Sequence, residues 1–164
     1  MRIFSFIISI LLCLSLVSCS RESRGAYEIL TDIAEELEDL PVGVIYTPHA
    51  EEGEEGYLSD GLAEALWGED AEEGFLMLSD YAVYMSSFAA PYEIGVFCCY
   101  SATDAVRIEE LCRARADILS VALRQTEFYE LCGNLRIVRK GRTVVFLMTS
   151  DPSRAERCAR RYIS

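Results

Sequence analysis

Apolar residues recur along this chain with two periods, and each change of period marks a boundary between predicted elements. From Ala26 to Leu40 the spacing is helical. Ala26, Ile29, Leu30, Ile33, Leu37 and Leu40 line one face, with Glu28, Asp32, Glu35, Glu36 and Asp39 opposite or flanking. Pro41 marks the end of that helix, and Val42–Tyr46 follows as a short apolar strand closed by Thr47-Pro48. His49–Gly56, with its run Glu51-Glu52-Gly53-Glu54-Glu55-Gly56, predicts a polar loop. Ser59 suits the N-cap of a short helix over Asp60–Trp67, and Gly68 suits the residue just past its end. Glu69–Gly74 reads as a second acidic turn.

The period then shifts to two. Tyr81–Ser87 places Tyr81, Val83 and Met85 on one face, and Glu93–Tyr100 sets Ile94, Val96 and Cys98 against Phe97 and Cys99. A hairpin is predicted, broken at Phe88–Pro91. Thr103-Asp104 opens a helix from about Ala105 to Leu123 or on toward Cys132, with Ile108, Leu111, Cys112, Ile118, Leu119 and Ala122 on its apolar face. Leu135–Arg139 and Thr143–Thr149 form a second predicted hairpin around Lys140-Gly141, and Asp151-Pro152 starts a last helix running to about Tyr162. The order Val96-Phe97, Ser101, Cys112 returns as Val145-Phe146, Ser150, Cys158. An ancestral ββα duplication would give this order, and so would chance similarity of two strand-to-helix junctions. Hairpins in place of βαβ units argue for antiparallel pairing. The expected fold is α+β: an antiparallel sheet of four or five strands with helices packed on it, one domain over 26–164.

Charge is segregated along the chain. Between Arg24 and Arg107 there is no Lys or Arg but 19 Asp and Glu; from Ala105 onward 12 basic residues face 7 acidic ones. The basic C-terminal helix is expected to pack near the acidic half. A net charge of −12 argues against a nucleic-acid partner.

Ahead of the domain, Arg2 precedes an apolar run from Ile3 to Leu16, followed by Leu16-Val17-Ser18-Cys19. That run falls short of the roughly 20 apolar residues of a spanning helix. The arrangement has the charged, apolar and small-residue regions of a cleaved leader, and it resembles the lipobox of bacterial lipoproteins. The resemblance implies that Cys19 takes a diacylglyceryl group and becomes the first mature residue. Residues 1–18 are then a signal peptide and 19–25 a lipidated cysteine with a short tether. Two acyl chains at about 0.8 kcal/mol per CH₂ make a stable anchor. Ser20 is not acidic, which in a two-membrane cell would not favour inner-membrane retention. An ordinary secretory leader with a chance cysteine is the plainer alternative.

Cys13 lies in the leader, so after Cys19 five cysteines remain: Cys98, Cys99, Cys112, Cys132 and Cys158. An odd number leaves at least one unpaired in a monomer. Adjacent Cys98 and Cys99 point to opposite faces of their strand and make a poor redox pair. Buried thiols acting as small hydrophobes are one reading, and a bridge from Cys112 to another cysteine is the other.

The lipobox, Tyr57-Leu58-Ser59-Asp60, Asp80-Tyr81-Ala82-Val83 and Ser86-Ser87-Phe88…Pro91…Glu93-Ile94-Gly95-Val96-Phe97 are similar to marks of a family of small bacterial lipoproteins. That family carries a domain of unknown function and is typical of anaerobic Gram-positive bacteria. The resemblance covers most of 26–163. It implies an address and a domain but transfers no activity and no catalytic residue.

Direct chemistry is sparse. His49 is the only histidine, which argues against a Ser-His-Asp triad or a multi-histidine zinc site. The Glu51–Glu55 loop offers carboxylates to a hard cation, but without the spacing of a helix-loop-helix calcium site, and it reads as a solvated loop. Trp67, Tyr57 and Phe75 flank acidic segments and would suit either sugar stacking or the core. No phosphate loop and no G-x-S-x-G motif is present, so neither cofactor nor metal is expected. Ser86–Pro91 is apolar where loops are usually charged. It makes Phe88 and Pro91 a candidate contact surface, or else a corner tucked under a helix.

These features favour a non-catalytic lipoprotein on the extracytoplasmic face of the cell membrane, binding an envelope protein or wall component. A carboxylate-dependent hydrolase of an envelope polymer is the alternative, and thiol-redox chemistry at Cys98 or Cys99 is a third.

Overall fold

A computed structural model describes residues 24–86 and 91–163. Cys19, the leader, most of the tether and Phe88 lie outside the described residues.

Helix α1 (Ala26–Glu36) buries Ala26, Ile29, Leu30 and Ile33 at the predicted spacing. It ends four residues before Leu40. The residue ahead of Pro41 is biased away from helical backbone, and Leu37 already leaves the helix at φ −98° and ψ 79°. Leu37 and Leu40 still pack into the core from the turn. Strand β1 (Gly43–Tyr46) follows. The acidic loop returns along it: Thr47 N donates to the Gly56 carbonyl at 3.1 Å. Gly56 has φ +90°, and a Cβ there would sit 2.5 Å from the Ile45 carbonyl oxygen. Glycine is needed on both counts.

Ser59 caps α2 (Asp60–Trp67), its Oγ accepting from Leu62 N, and Gly68 ends the helix at φ 92°. The segment expected as an acidic turn instead contains a short helix, α3 (Ala71–Phe75), whose first residue, Ala71, is fully buried. Strands β2 (Leu78–Ser86) and β3 (Glu93–Cys99) pair antiparallel, with a register shift between Leu78 and Asp80. Helix α4 (Ala102–Leu123) begins three residues earlier than predicted, because Ser101 is the cap and accepts from Asp104 N at 3.1 Å. It stops at Leu123, and a 3₁₀ turn (Tyr129–Asn134) occupies the stretch toward Cys132. Strands β4 (Arg136–Lys140) and β5 (Thr143–Met148) form the second hairpin. Helix α5 (Pro152–Tyr162) is capped by Asp151, which accepts from Arg154 N.

The fold is α+β with one five-stranded antiparallel sheet, in the order β1-β2-β3-β5-β4. Helices cover both faces. Antiparallel sheets often leave one face wet, and strands buried on both faces read as continuous apolar runs. Ile94–Cys99 and Val144–Met148 are such runs. Ala82, Tyr84, Ile94, Val96, Val145 and Leu147 pack against α1 and α5. Val83, Phe97, Cys99, Val144, Phe146 and Met148 pack against α2, α3 and α4. Cys98 and Cys99 therefore point into different layers, as the alternation predicted.

The strands fit an internal two-fold: Val96 pairs with Val145, flanked by Gly95 opposite Phe146 and Phe97 opposite Val144. The helices break it. Helix α4 joins one layer through Cys112 and α5 joins the other through Cys158. A two-fold normal to the sheet would keep both on one face, so the ββα repeat does not extend past the strands.

The basic last helix packs beside acidic α1, as charge segregation suggested. Arg161 pairs with Glu36 at 2.6 Å and Arg154 with Glu38 at 3.3 Å. Glu36 also accepts from the Tyr162 hydroxyl, and from Cys158 Sγ at 3.1 Å.

Candidate functional site

The sheet faces are filled, so a site must lie at the margins of the helical layers. One groove of about 460 Å³ opens there, between the α2–α3 segment and α4. Close packing sets its walls. A Cβ on Gly74 would come 2.9 Å from Leu111 Cδ2, so glycine lets α3 lie directly on α4. Trp67 closes the inner end. It is 2 % exposed, with ring centroids 5.4 Å from Phe75 and 6.3 Å from Phe97, both edge-on. Trp67 is thus held in the core and half-buried Phe75 packs edge-on against it, whereas Tyr57, 37 % exposed, does not line the groove, so the three do not form one stacking surface there. The buried Trp67 Nε1–H has no hydrogen-bond acceptor among the described residues.

Arg115 fixes the groove from behind. It lies on the apolar face of α4 between Leu111 and Leu119, and its Nη2 meets Glu93 Oε2 at 2.7 Å. Its Nη1 donates to the Leu66 carbonyl at 2.9 Å, and its guanidinium lies 5.7 Å from the centroid of the Trp67 ring. The two side chains are 9 % and 4 % exposed. One arginine thus ties α4 to the first residue of β3 and to the end of α2. The sequence signal was a charged residue in the middle of an apolar helical stripe.

The groove presents Glu69, Asp70 and Glu73 from one wall and Glu110 and Asp117 from the other, all exposed. Its cation, Arg107, is engaged by Glu110 at 3.4 Å. A carboxylic acid serving as general acid is usually held protonated by an apolar, water-poor setting. The groove carboxylates lie in solvent. Among the described residues no three His, Cys, Asp or Glu side chains converge in the way a metal ion requires.

Other candidate residues are scattered. His49 is an exposed loop residue with Nε2 3.7 Å from Asp80 Oδ1. Asp80 in turn accepts from the first amide of α1, Ala26 N, at 2.7 Å. The Glu51–Glu55 loop is exposed, and its base is closed on β1 by the Thr47–Gly56 hydrogen bond. Pro91 is half-buried ahead of β3, and the hairpin is closed beside it by Ser86 N donating to the Tyr92 carbonyl at 3.0 Å. The contact-surface reading of Phe88 falls outside the described residues.

Cys98, Cys99, Cys112, Cys132 and Cys158 are free thiols, which agrees with the reading of unpaired cysteines and not with the alternative of a bridge from Cys112. Burial pushes the Cys98 thiol up to about 11 and the Cys99 thiol up to about 12. Reactive cysteines need the reverse shift, toward thiolate at neutral pH. The geometry therefore gives no support to redox chemistry at these two residues. Compared with known proteins, the chain matches no family model, no curated protein and no solved structure.

Proposed function

We propose that the protein is a lipid-anchored, extracytoplasmic lipoprotein of the cell membrane whose folded domain is a non-catalytic binding module for another envelope protein or wall component. The observation that carries this is Leu16-Val17-Ser18-Cys19 behind Arg2 and the apolar run Ile3–Leu16. Among the described residues no helix is long and apolar enough to cross a membrane. The lipoprotein-family resemblance supports the same address. A groove without buried carboxylates or convergent metal ligands supports binding over catalysis.

Metabolic labelling with palmitate tests the anchor. The wild-type chain is expected to carry label and fractionate with membranes, and Cys19→Ala to lose both. Label retained by Cys19→Ala would refute the assignment. Crosslinking in intact cells tests the module, with a partner expected at near-equal amount. The hydrolase alternative has one observation in its favour, the five carboxylates that face the groove. Release of soluble fragments from isolated cell-wall polymer by the purified protein would decide for it.

A further inference from the structure

Helix α4 carries two stripes. Ala105, Ile108, Leu111, Cys112, Arg115 and Leu119 face the sheet. A second stripe at helical spacing, from Arg107 through Leu111, Ala114 and Ile118, lines the groove. The same spacing carries it on to Val121, which is 69 % exposed, and to Ala122, also exposed. From Arg107 to Ala122 the stripe is about 22 Å long, roughly four turns. Ile118 and Ala122 belong to this outer stripe and not to the core, where their spacing had placed them.

Within the groove the stripe is flanked by acidic residues on both sides. Five exposed carboxylates stand against one arginine that is already paired. Such a groove repels nucleic acid and anionic lipid and attracts cations bearing apolar groups. A second copy of this chain is a poor occupant. Three of the four arginines of its cationic helix, Arg154, Arg160 and Arg161, are already engaged by Glu38, Glu156 and Glu36, which leaves only Arg157 to face five carboxylates.

We propose that the groove is the docking site for a cationic amphipathic peptide segment of a partner protein, its apolar face on Leu111, Ala114, Ile118 and Val121 and its Lys or Arg side chains on the acidic rims. An amphipathic segment laid in an apolar groove is a common mode of peptide recognition. The proposal rests on the binding-module reading and names the chemistry of the partner.

Trp67 is the only tryptophan and closes the groove, so its fluorescence reports on what enters. The experiment uses the full-length lipidated protein in a neutral detergent. The probe is a synthetic leucine–lysine helix of about 14 residues, long enough to follow the stripe. Saturable binding is expected, weakened about tenfold or more in Asp70→Asn/Glu73→Gln/Asp117→Asn and in Ile118→Asp. Glu52→Gln/Glu54→Gln/Glu55→Gln removes the same charge from a loop that does not line the groove and is expected to bind as the wild type does. All six carboxylates are exposed, so folding is not at stake. No saturable binding, equal loss in both triple variants, or equal affinity for a serine–lysine peptide would overturn the proposal. If cells yield a crosslinked partner but the peptide does not bind, the groove assignment falls and the binding-module reading stands. If the peptide binds but cells yield no partner, the groove's affinity for cationic amphipathic segments stands and the binding-module reading falls.

Discussion

Arg115 and Glu93 form a buried ion pair in the layer between α4 and the sheet. Desolvating both charges offsets most of their attraction, so the pair adds little over a well-packed apolar pair. Removing one partner is different, because it strands a buried charge. Glu93→Ala is expected to lower stability by about 3–5 kcal/mol. The double variant Glu93→Met/Arg115→Met should recover much of that loss, within the limit set by the Leu66 carbonyl that Arg115 also satisfies. Chemical denaturation of the wild type and the single and double variants measures both effects. If the single substitution cost less than about 1 kcal/mol, the pair would not be the buried tie described here. Arg115 could be suspected from the sequence, since it interrupts an apolar stripe. Its partner could not, because nothing local relates Glu93 to a helix position 22 residues away.

At the scale of elements, α4 shows why helical periodicity was only partly informative. Period 3.6 identifies which residues share a face, but on a helix with two apolar stripes it does not say which stripe meets the sheet. Ile108, Leu111, Cys112 and Leu119 met it, whereas Ile118 is half-buried and Ala122 exposed. The difference should appear in stability. Leu119→Ala is expected to cost about 2–5 kcal/mol, as large-to-small core changes do, and Val121→Ala to stay within about 0.5 kcal/mol. Equal losses in thermal melts of the two variants would contradict the two-stripe description. The hairpins and caps were more legible, because strand alternation and the residue types Ser59, Gly68, Asp151 and Pro152 act locally. Helix α3 was missed because its acidic residues hide Ala71 and Phe75, whose burial depends on distant partners. The groove was illegible for the same reason: its walls come from segments about 40 residues apart in the chain, joined by the close approach at Gly74 and by the hydrogen bond from Arg115 to the Leu66 carbonyl.

For the whole molecule, the placement of titratable groups bounds the pH range of stability from both sides. On the acid side, hydrogen bonds from Tyr162 and then Cys158, with Arg161, hold the Glu36 carboxyl below its ordinary range. Hydrogen bonds from Arg139 and Arg113 do the same for Glu109. A carboxylate depressed by folding stabilises the fold fully above its unfolded pKa, near 4.3, and loses that contribution as pH falls through the folded value. On the alkaline side, burial raises Cys98 to about 11, Cys99 to about 12 and Cys112 well above its ordinary value. These thiols stay protonated in the folded chain but ionise near 8.5 once unfolded. Their contribution is therefore intact below that pH and declines as pH rises toward the folded values. Melting temperature should be level between about pH 5.5 and 8 and fall beyond either limit. Substitution separates the causes. Glu36→Gln should flatten the acid limb, and Cys98→Ala with Cys99→Ala should flatten the alkaline limb, whatever each does to the plateau. The scan should stop below about pH 10, where tyrosines ionise in the unfolded chain. Above that, Tyr81 and Tyr84, both raised chiefly by burial, would add an alkaline loss of their own. An alkaline slope unchanged by the cysteine substitutions would show that other groups set that limit.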